Sequence, residues 1–126
     1  MLFFDTSAAV AWLRGDEALK RRAGEEGVAI SIITVYELVW AAKRQGHRAI
    51  DAVEMFLDGC TILGVGEDIA RRAGYIKAEL VGSGKDKPMA DLLIAATAEK
   101  EGLKFITMDK DFRDIAKFAD IDLHLI

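Results

Sequence analysis

Four acidic residues stand where chain patterning does not by itself call for an acid: Asp5, Glu37, Asp91 and Asp109. Asp5 follows the apolar run Leu2-Phe3-Phe4 and precedes Thr6 and Ser7. Glu37 lies in Ser31-Ile32-Ile33-Thr34-Val35-Tyr36-Glu37-Leu38, near the start of a helical pattern that follows a strand. Asp91 falls in the first turn of the most apolar helical stretch, Met89-Ala90-Asp91-Leu92-Leu93-Ile94-Ala95-Ala96, and Asp109 follows Phe105-Ile106-Thr107-Met108. Each has an ordinary alternative. Asp91 suits the positive end of a helix dipole, Glu37 a solvated helix face, and Asp109 and Asp111 a turn or cap. Asp5 is the hardest to explain in this way, because a carboxylate at the tip of a central strand is costly to bury without a partner. In a parallel sheet all four would lie at the carboxyl edge, where open α/β sheets place their ligands. Four carboxylates repel one another there unless a divalent cation holds them. Hard oxygen donors at a half-open site suit Mg²⁺ or Mn²⁺. Two such ions roughly 4 Å apart activate water and stabilise the leaving oxygen of a phosphodiester.

The elements that must position these acids alternate along the chain. Short apolar runs at 2–4, 28–30, 61–63 and 105–107 read as strands, with a fifth at an edge over 122–126. Between them helices are expected over 8–14, 17–26, 35–45, 50–58, 66–81 and 89–101, with a short one inside 109–118. Thr6 or Ser7 is expected to cap the first helix. Asp16 caps the second and Gly27 stops it. Residues 82–87, Gly-Ser-Gly-Lys-Asp-Lys, form the one clearly loop-like run, and Pro88 opens the helix after it. Strand-helix alternation of this kind implies a parallel sheet covered on both faces. No repeat or internal boundary interrupts it, so one domain is expected over residues 1–126.

Composition narrows the class. Hydrophobic residues make up 52% of the chain, enough for a real core, and a single proline with eleven glycines argues against low complexity. The lone cysteine, Cys60, excludes an internal disulfide framework and reads as a small buried hydrophobe in a reducing compartment. No basic leader and no apolar window of the ~18 residues a membrane helix needs are evident, so a cytoplasmic protein is expected, with no membrane association. The net charge of −4 is not that of a general nucleic-acid binder. Any such role must rest on local cations, for which Arg14, Lys43, Arg44, Lys85, Lys87 and Lys110 are the candidates.

Taken in order, Phe4-Asp5-Thr6-Ser7, Thr34-Val35-Tyr36-Glu37-Leu38, Asp91 to Ala98 and Thr107-Met108-Asp109-Lys110-Asp111-Phe112 resemble the successive motifs of the PIN domain. The likeness spans nearly the whole chain, and its compactness is most similar to the toxin subunits of VapBC toxin–antitoxin pairs. The resemblance implies a three-layer α/β/α sandwich around a parallel sheet of four to five strands. It also implies a metal-dependent ribonuclease in which Asp5, Glu37, Asp91 and Asp109 hold Mg²⁺ or Mn²⁺. Thr6, Thr107 and Asp111 match supporting positions. The implied partners are an RNA substrate, an antitoxin protein that blocks the site, and a second copy of the chain.

Two rival readings follow from the same residues. A phosphoacceptor receiver domain also gathers acids at one sheet edge, but it needs a lysine after a late strand, and Lys104 precedes one. A PIN-like module that grips RNA or protein without cutting would have no need of all four acids. His47 and His124 lie outside the motifs and are expected at the surface or an edge. Trp12, Trp40, Phe56 and Tyr75 are expected to be mostly core. Tyr36 and Trp40, spaced i, i+4, share a helix face suited to a protein contact.

Overall fold

In the computed structural model, which describes residues 1–126, the apolar run Leu2–Phe4 forms β1 with all three side chains fully buried. It lies at the centre of the sheet. Val28–Ser31 (β2) and Lys104–Thr107 (β4) flank it, and Thr61–Leu63 (β3) and Asp122–Leu125 (β5) form the two edges, giving the order β3-β2-β1-β4-β5. Every pairing is parallel, with Phe4 opposite both Ile30 and Ile106. Burial on both faces explains why these strands read as continuous apolar runs rather than alternating ones.

The helices are Thr6–Leu13 (α1), Glu17–Glu26 (α2), Ile32–Gln45 (α3), His47–Asp58 (α4), Glu67–Gly82 (α5), Met89–Glu101 (α6) and Phe112–Ile115 (α7). Strand side chains alternate between two cores. Phe3, Ala29 and Phe105 meet Ile76, Leu80, Leu92, Ala95 and Phe112 from α5, α6 and α7. Leu2, Phe4, Ile30 and Ile106 meet Ala8, Leu19, Leu38, Val53 and Phe56 from α1 to α4. The result is the expected three-layer α/β/α sandwich. The order differs from the flavodoxin-like 2-1-3-4-5 order shared by receiver domains. Lys104 opens β4 and pairs with Glu26 at 3.2 Å, which removes the receiver reading.

Local corrections follow from capping. Asp5, not Thr6 or Ser7, caps α1 by accepting from the Ala8 N–H, so the helix begins at Thr6. Ser31 caps α3 through the Ile33 N–H, and that helix starts three residues earlier than 35. α4 starts at His47, after Gly46 at φ +118° turns the chain. Gly102, at φ +66°, ends α6 in the left-handed conformation that glycine adopts without a Cβ penalty. The aromatic expectation holds for Phe56, which is buried with Trp12 tilted against it at 4.9 Å. It fails for Trp40 and Tyr75, which are 55% and 69% exposed on outward helix faces. Cys60 is half-buried, and its thiol, pushed up to about 11 by burial, stays protonated.

Phe105 is the join between sheet and helices, with ring centroids 5.4 Å from Phe3 and 4.8 Å from Phe112. Phe105→Ala is therefore expected to lose about 3–5 kcal/mol of stability in urea denaturation. A loss below about 1 kcal/mol would show that the two faces do not depend on this ring.

Candidate active site

All strands run in one direction, so the carboxyl ends of β1, β2 and β4 open on one edge. Asp5 lies at the tip of β1 and Asp109 two residues beyond β4, while Glu37 sits in the second turn of α3 and Asp91 in the first turn of α6. The four expected acids are thus carried to one opening by four separate elements.

Asp5 is 3% exposed, and its burial is made possible by hydroxyls. Thr107 Oγ1 donates to Asp5 Oδ2 at 2.6 Å, and Ser7 Oγ donates to the same carboxylate at 2.8 Å. Those hydroxyls in turn accept backbone N–H groups, Thr107 from Asp109 at 2.9 Å and Ser7 from Met108 at 2.9 Å. The turn bearing Asp109 is therefore tied to Asp5 through two relays. Burial still pushes the Asp5 carboxyl above its ordinary range, against the pull of the Thr107, Ala8 and Ser7 hydrogen bonds, with the Asp109 charge adding to the rise. Glu37 is held on one oxygen only: Thr6 Oγ1 donates to Glu37 Oε1 at 2.6 Å, and Thr34 Oγ1 lies 3.1 Å from that of Thr6. No buried side-chain polar atom lacks a partner.

Asp91 differs from the others, because no protein group donates to its half-buried carboxylate. Burial raises its carboxyl to about 6, with the charges of Asp109, Glu37, Asp5 and Asp111 adding in that order. Those four influences on one group are the electrostatic record of the acids' convergence. As the side chains stand, no three of them close into a ready-made metal cage. This arrangement still suits Mg²⁺ or Mn²⁺, because a small hard cation commonly keeps several waters and takes only one or two carboxylates directly. The donor set is entirely oxygen, and the excess negative charge sits on an acid with no partner.

The supporting residues divide. Thr6 donates to the Glu37 carboxylate and Thr107 to that of Asp5. Asp111 does not face the opening in the same way: its N–H donates to Asp109 Oδ1 at 2.9 Å, while its own carboxylate lies 3.4 Å from Lys87 Nζ. Ser7, expected only as a helix cap, and Thr34 carry no site role in the sequence reading, although both hydroxyls stand inside the quoted motifs. Their role depends on cross-strand proximity that motif strings do not display.

The six candidate cations also divide. Arg14 is exposed and lines an open cleft of about 580 Å³ with Thr6, Ser7, Val10 and Met108. Lys110 is exposed beside Asp109. Lys43 and Arg44 lie in the last turn of α3, about 9 Å beyond Glu37 along the helix axis, away from the opening. Lys85 is 3.9 Å from Asp114, and Lys87, only 11% exposed, pairs with Asp114 at 3.1 Å as well as with Asp111.

With this geometry established, the comparisons give the class. The chain matches the PIN domain model over residues 2–118, and it belongs to that family. It is 39% identical over 82 residues to Ribonuclease VapC2 of Haemophilus influenzae, covering 64% of this chain and 62% of that relative, about three-fifths of its length. It is 34% identical over 127 residues to Ribonuclease VapC5 of Mycobacterium tuberculosis, covering 94% of this chain and 90% of the other. A crystal structure of VapBC-5 from M. tuberculosis, a member of the VapBC family of toxin–antitoxin systems, is similar at 29% identity and a TM-score of 0.77, over 99% of this chain and 98% of that one.

The raised Asp91 carboxyl fixes a sign. Between its ordinary value of 3.8 and about 6, the folded chain holds a proton there that the unfolded chain has released. Stability from this group is therefore lost as pH rises through that window. Measured in chelator, Asp91→Asn is expected to be more stable than the parent at pH 7.5 by about 1–3 kcal/mol, with the gain shrinking toward pH 3.5. An equal or lower stability for Asp91→Asn at pH 7.5 would rule out the repulsion described here.

Proposed function

We propose that this chain is a metal-dependent endoribonuclease hydrolysing RNA phosphodiester bonds, and the toxin of a toxin–antitoxin pair acting in the cytoplasm. The observation that carries the chemistry is the unpartnered Asp91 carboxylate, raised first by its burial and further by the charges of Asp109, Glu37 and Asp5. Such a site gains most from binding a dication. The names of the relatives support the substrate and the pairing.

In this reading Asp5 and Asp91 would hold Mg²⁺ or Mn²⁺, and Glu37 and Asp109 would bind a second ion directly or through water. When bound, the ion offsets charge building on the phosphoryl oxygens and acidifies a water. The chain's own residues do the positioning. Thr107 and Ser7 fix the Asp5 carboxylate, and the Thr107 relay fixes the Asp109 turn relative to it. Thr6 holds Glu37 by Oε1 and leaves Oε2 for a ligand or for a proton from the attacking water. Arg14, which lines the same cleft as Ser7 and Met108, is proposed to take a phosphate of the RNA strand, and Lys110 another beside Asp109. The exposed stripe Ile32, Tyr36, Val39 and Trp40 along α3 supports a protein partner, since tyrosine and tryptophan are enriched where surfaces meet. An antitoxin and a second copy of the chain are the two partners expected. No helix is long and apolar enough to cross a membrane.

Purified protein is expected to cut a structured RNA with Mg²⁺ or Mn²⁺ and to stop in chelator. Asp91→Asn should lower the rate by more than about 100-fold with its fold intact. RNA binding without cleavage by a chain that takes up no Mn²⁺ would favour the non-cutting module instead. In the Asp91→Asn background, Arg14→Gln is expected to weaken binding of single-stranded RNA and to reduce the slope of log affinity against log salt by about one. An unchanged slope would remove Arg14 from the RNA path.

A further inference from the structure

The loop 83–87 precedes the Asp91 helix and carries two lysines, so from sequence it resembles a flexible basic arm. In the structure its charged side chains are already paired within the protein. Asp86 pairs with Lys77 of α5 at 2.6 Å. Lys85 and Lys87 both turn to Asp114 in α7, at 3.9 and 3.1 Å, and Lys87 also reaches Asp111 at 3.4 Å. The Lys87 side chain is 11% exposed and that of Asp114 23%, so this pair is partly enclosed, whereas Asp111 at the other limb is 61% exposed.

The two ends of the Lys87 bridge are also telling. On one side, Lys87 lies four residues before Asp91. Pro88 is the N-cap residue of helix α6 and offers no side-chain cap, and the bond from the Leu92 N–H to the Pro88 carbonyl is long at 3.3 Å. Core packing through Leu92 and Ala95 seats the body of α6, whereas its first turn, which carries Asp91, has no side-chain cap of its own. On the other side, Asp111 donates its N–H to Asp109 Oδ1 at 2.9 Å, and the Asp114 N–H donates to the Asp111 carbonyl at 3.2 Å. The carboxylates that Lys87 grips therefore belong to the same turn that orients Asp109.

We infer that Lys87 is a positioning residue: its bridge to Asp111 and Asp114 straps the start of α6 to the Asp109 turn and sets Asp91 and Asp109 at the separation the ion requires. This inference rests on the metal-site reading above. Ion-binding side chains must be held within about 0.5 Å of their working geometry. An ion pair that adds little to global stability can thus matter greatly to the site.

The strap and simple electrostatics predict opposite signs. Removing a cation beside four acids strengthens the local negative field and, by charge alone, tightens Mn²⁺ binding. Loss of the strap loosens it. Three full-length proteins decide the matter: the parent, Lys87→Met and Lys87→Arg. Each is examined by calorimetric titration with Mn²⁺ alone, by amide hydrogen exchange without metal, and by thermal unfolding. Lys87→Met is expected to bind Mn²⁺ about tenfold more weakly, with a melting temperature close to the parent's. Exchange should speed up together at Leu92 and at Asp111 and Phe112, and Lys87→Arg should return to within about twofold of the parent. Unchanged or tighter Mn²⁺ binding by a folded Lys87→Met would overturn the inference, as would unchanged exchange at both places. A KM rise on RNA with Mn²⁺ affinity unaltered would overturn it in favour of direct RNA contact. A parent that binds no Mn²⁺ would defeat the metal reading and with it the ion-setting role, whereas the exchange arm still shows whether the strap exists.

Discussion

The need to bury one carboxylate governs the carboxyl edge of this sheet. Asp5 ends the central strand, and a charge there is tolerated only because hydroxyls on both sides donate to it. Thr107 and Ser7 meet that need, and in doing so each accepts an N–H from the turn after β4. The same bonds that make Asp5 admissible therefore place Asp109. Asp5 also caps α1 through the Ala8 N–H, so the direction of the helix carrying Thr6 follows from the same group. Thr6 then fixes Glu37. Three of the four acids are linked to one network rooted at a single strand tip.

Asp91 stands outside this network. It gains no hydrogen bond from the protein, and its carboxyl is raised by burial and, beyond that, by the acids the network has gathered. The fold thus pre-forms part of an oxygen-lined site and leaves its last member electrostatically frustrated. Such frustration is typical of sites shaped for a ligand rather than for stability alone.

Much of this was readable in the linear chain, for local reasons. Helix α2 was recoverable at both ends because Asp16 and Gly27 are strong boundary residues, and β3 because it is short and apolar. The start of α3 was not, because Ile32, Ile33 and Thr34 are β-branched and look like a strand's continuation, while the decisive signal was a single serine cap. The four acids were visible from type and context, since each interrupts an apolar or helical pattern. The lysines show the opposite case. Their charge is plain in the sequence, but whether a cation faces solvent or a protein carboxylate depends on contacts between α5, α7 and the intervening loop. Asp114, approached by Lys85, Lys87 and Lys117, has no sequence signature at all.

The bond from Thr107 to Asp5 joins residues 102 positions apart. During synthesis the first strand, the α1 cap and the Thr6–Glu37 contact can form early, because their partners lie within the first third of the chain. The Asp5 carboxylate, however, lacks its strongest donor until β4 emerges and docks beside β1. Long-range parallel pairing of this kind is among the slower steps of folding, and domains form as their later segments become available. A ribosome-bound chain therefore carries an unassembled site until β4 has emerged. For a nuclease of the proposed kind, the order in which residues are polymerised delays competence until β4 has been made and has docked beside β1.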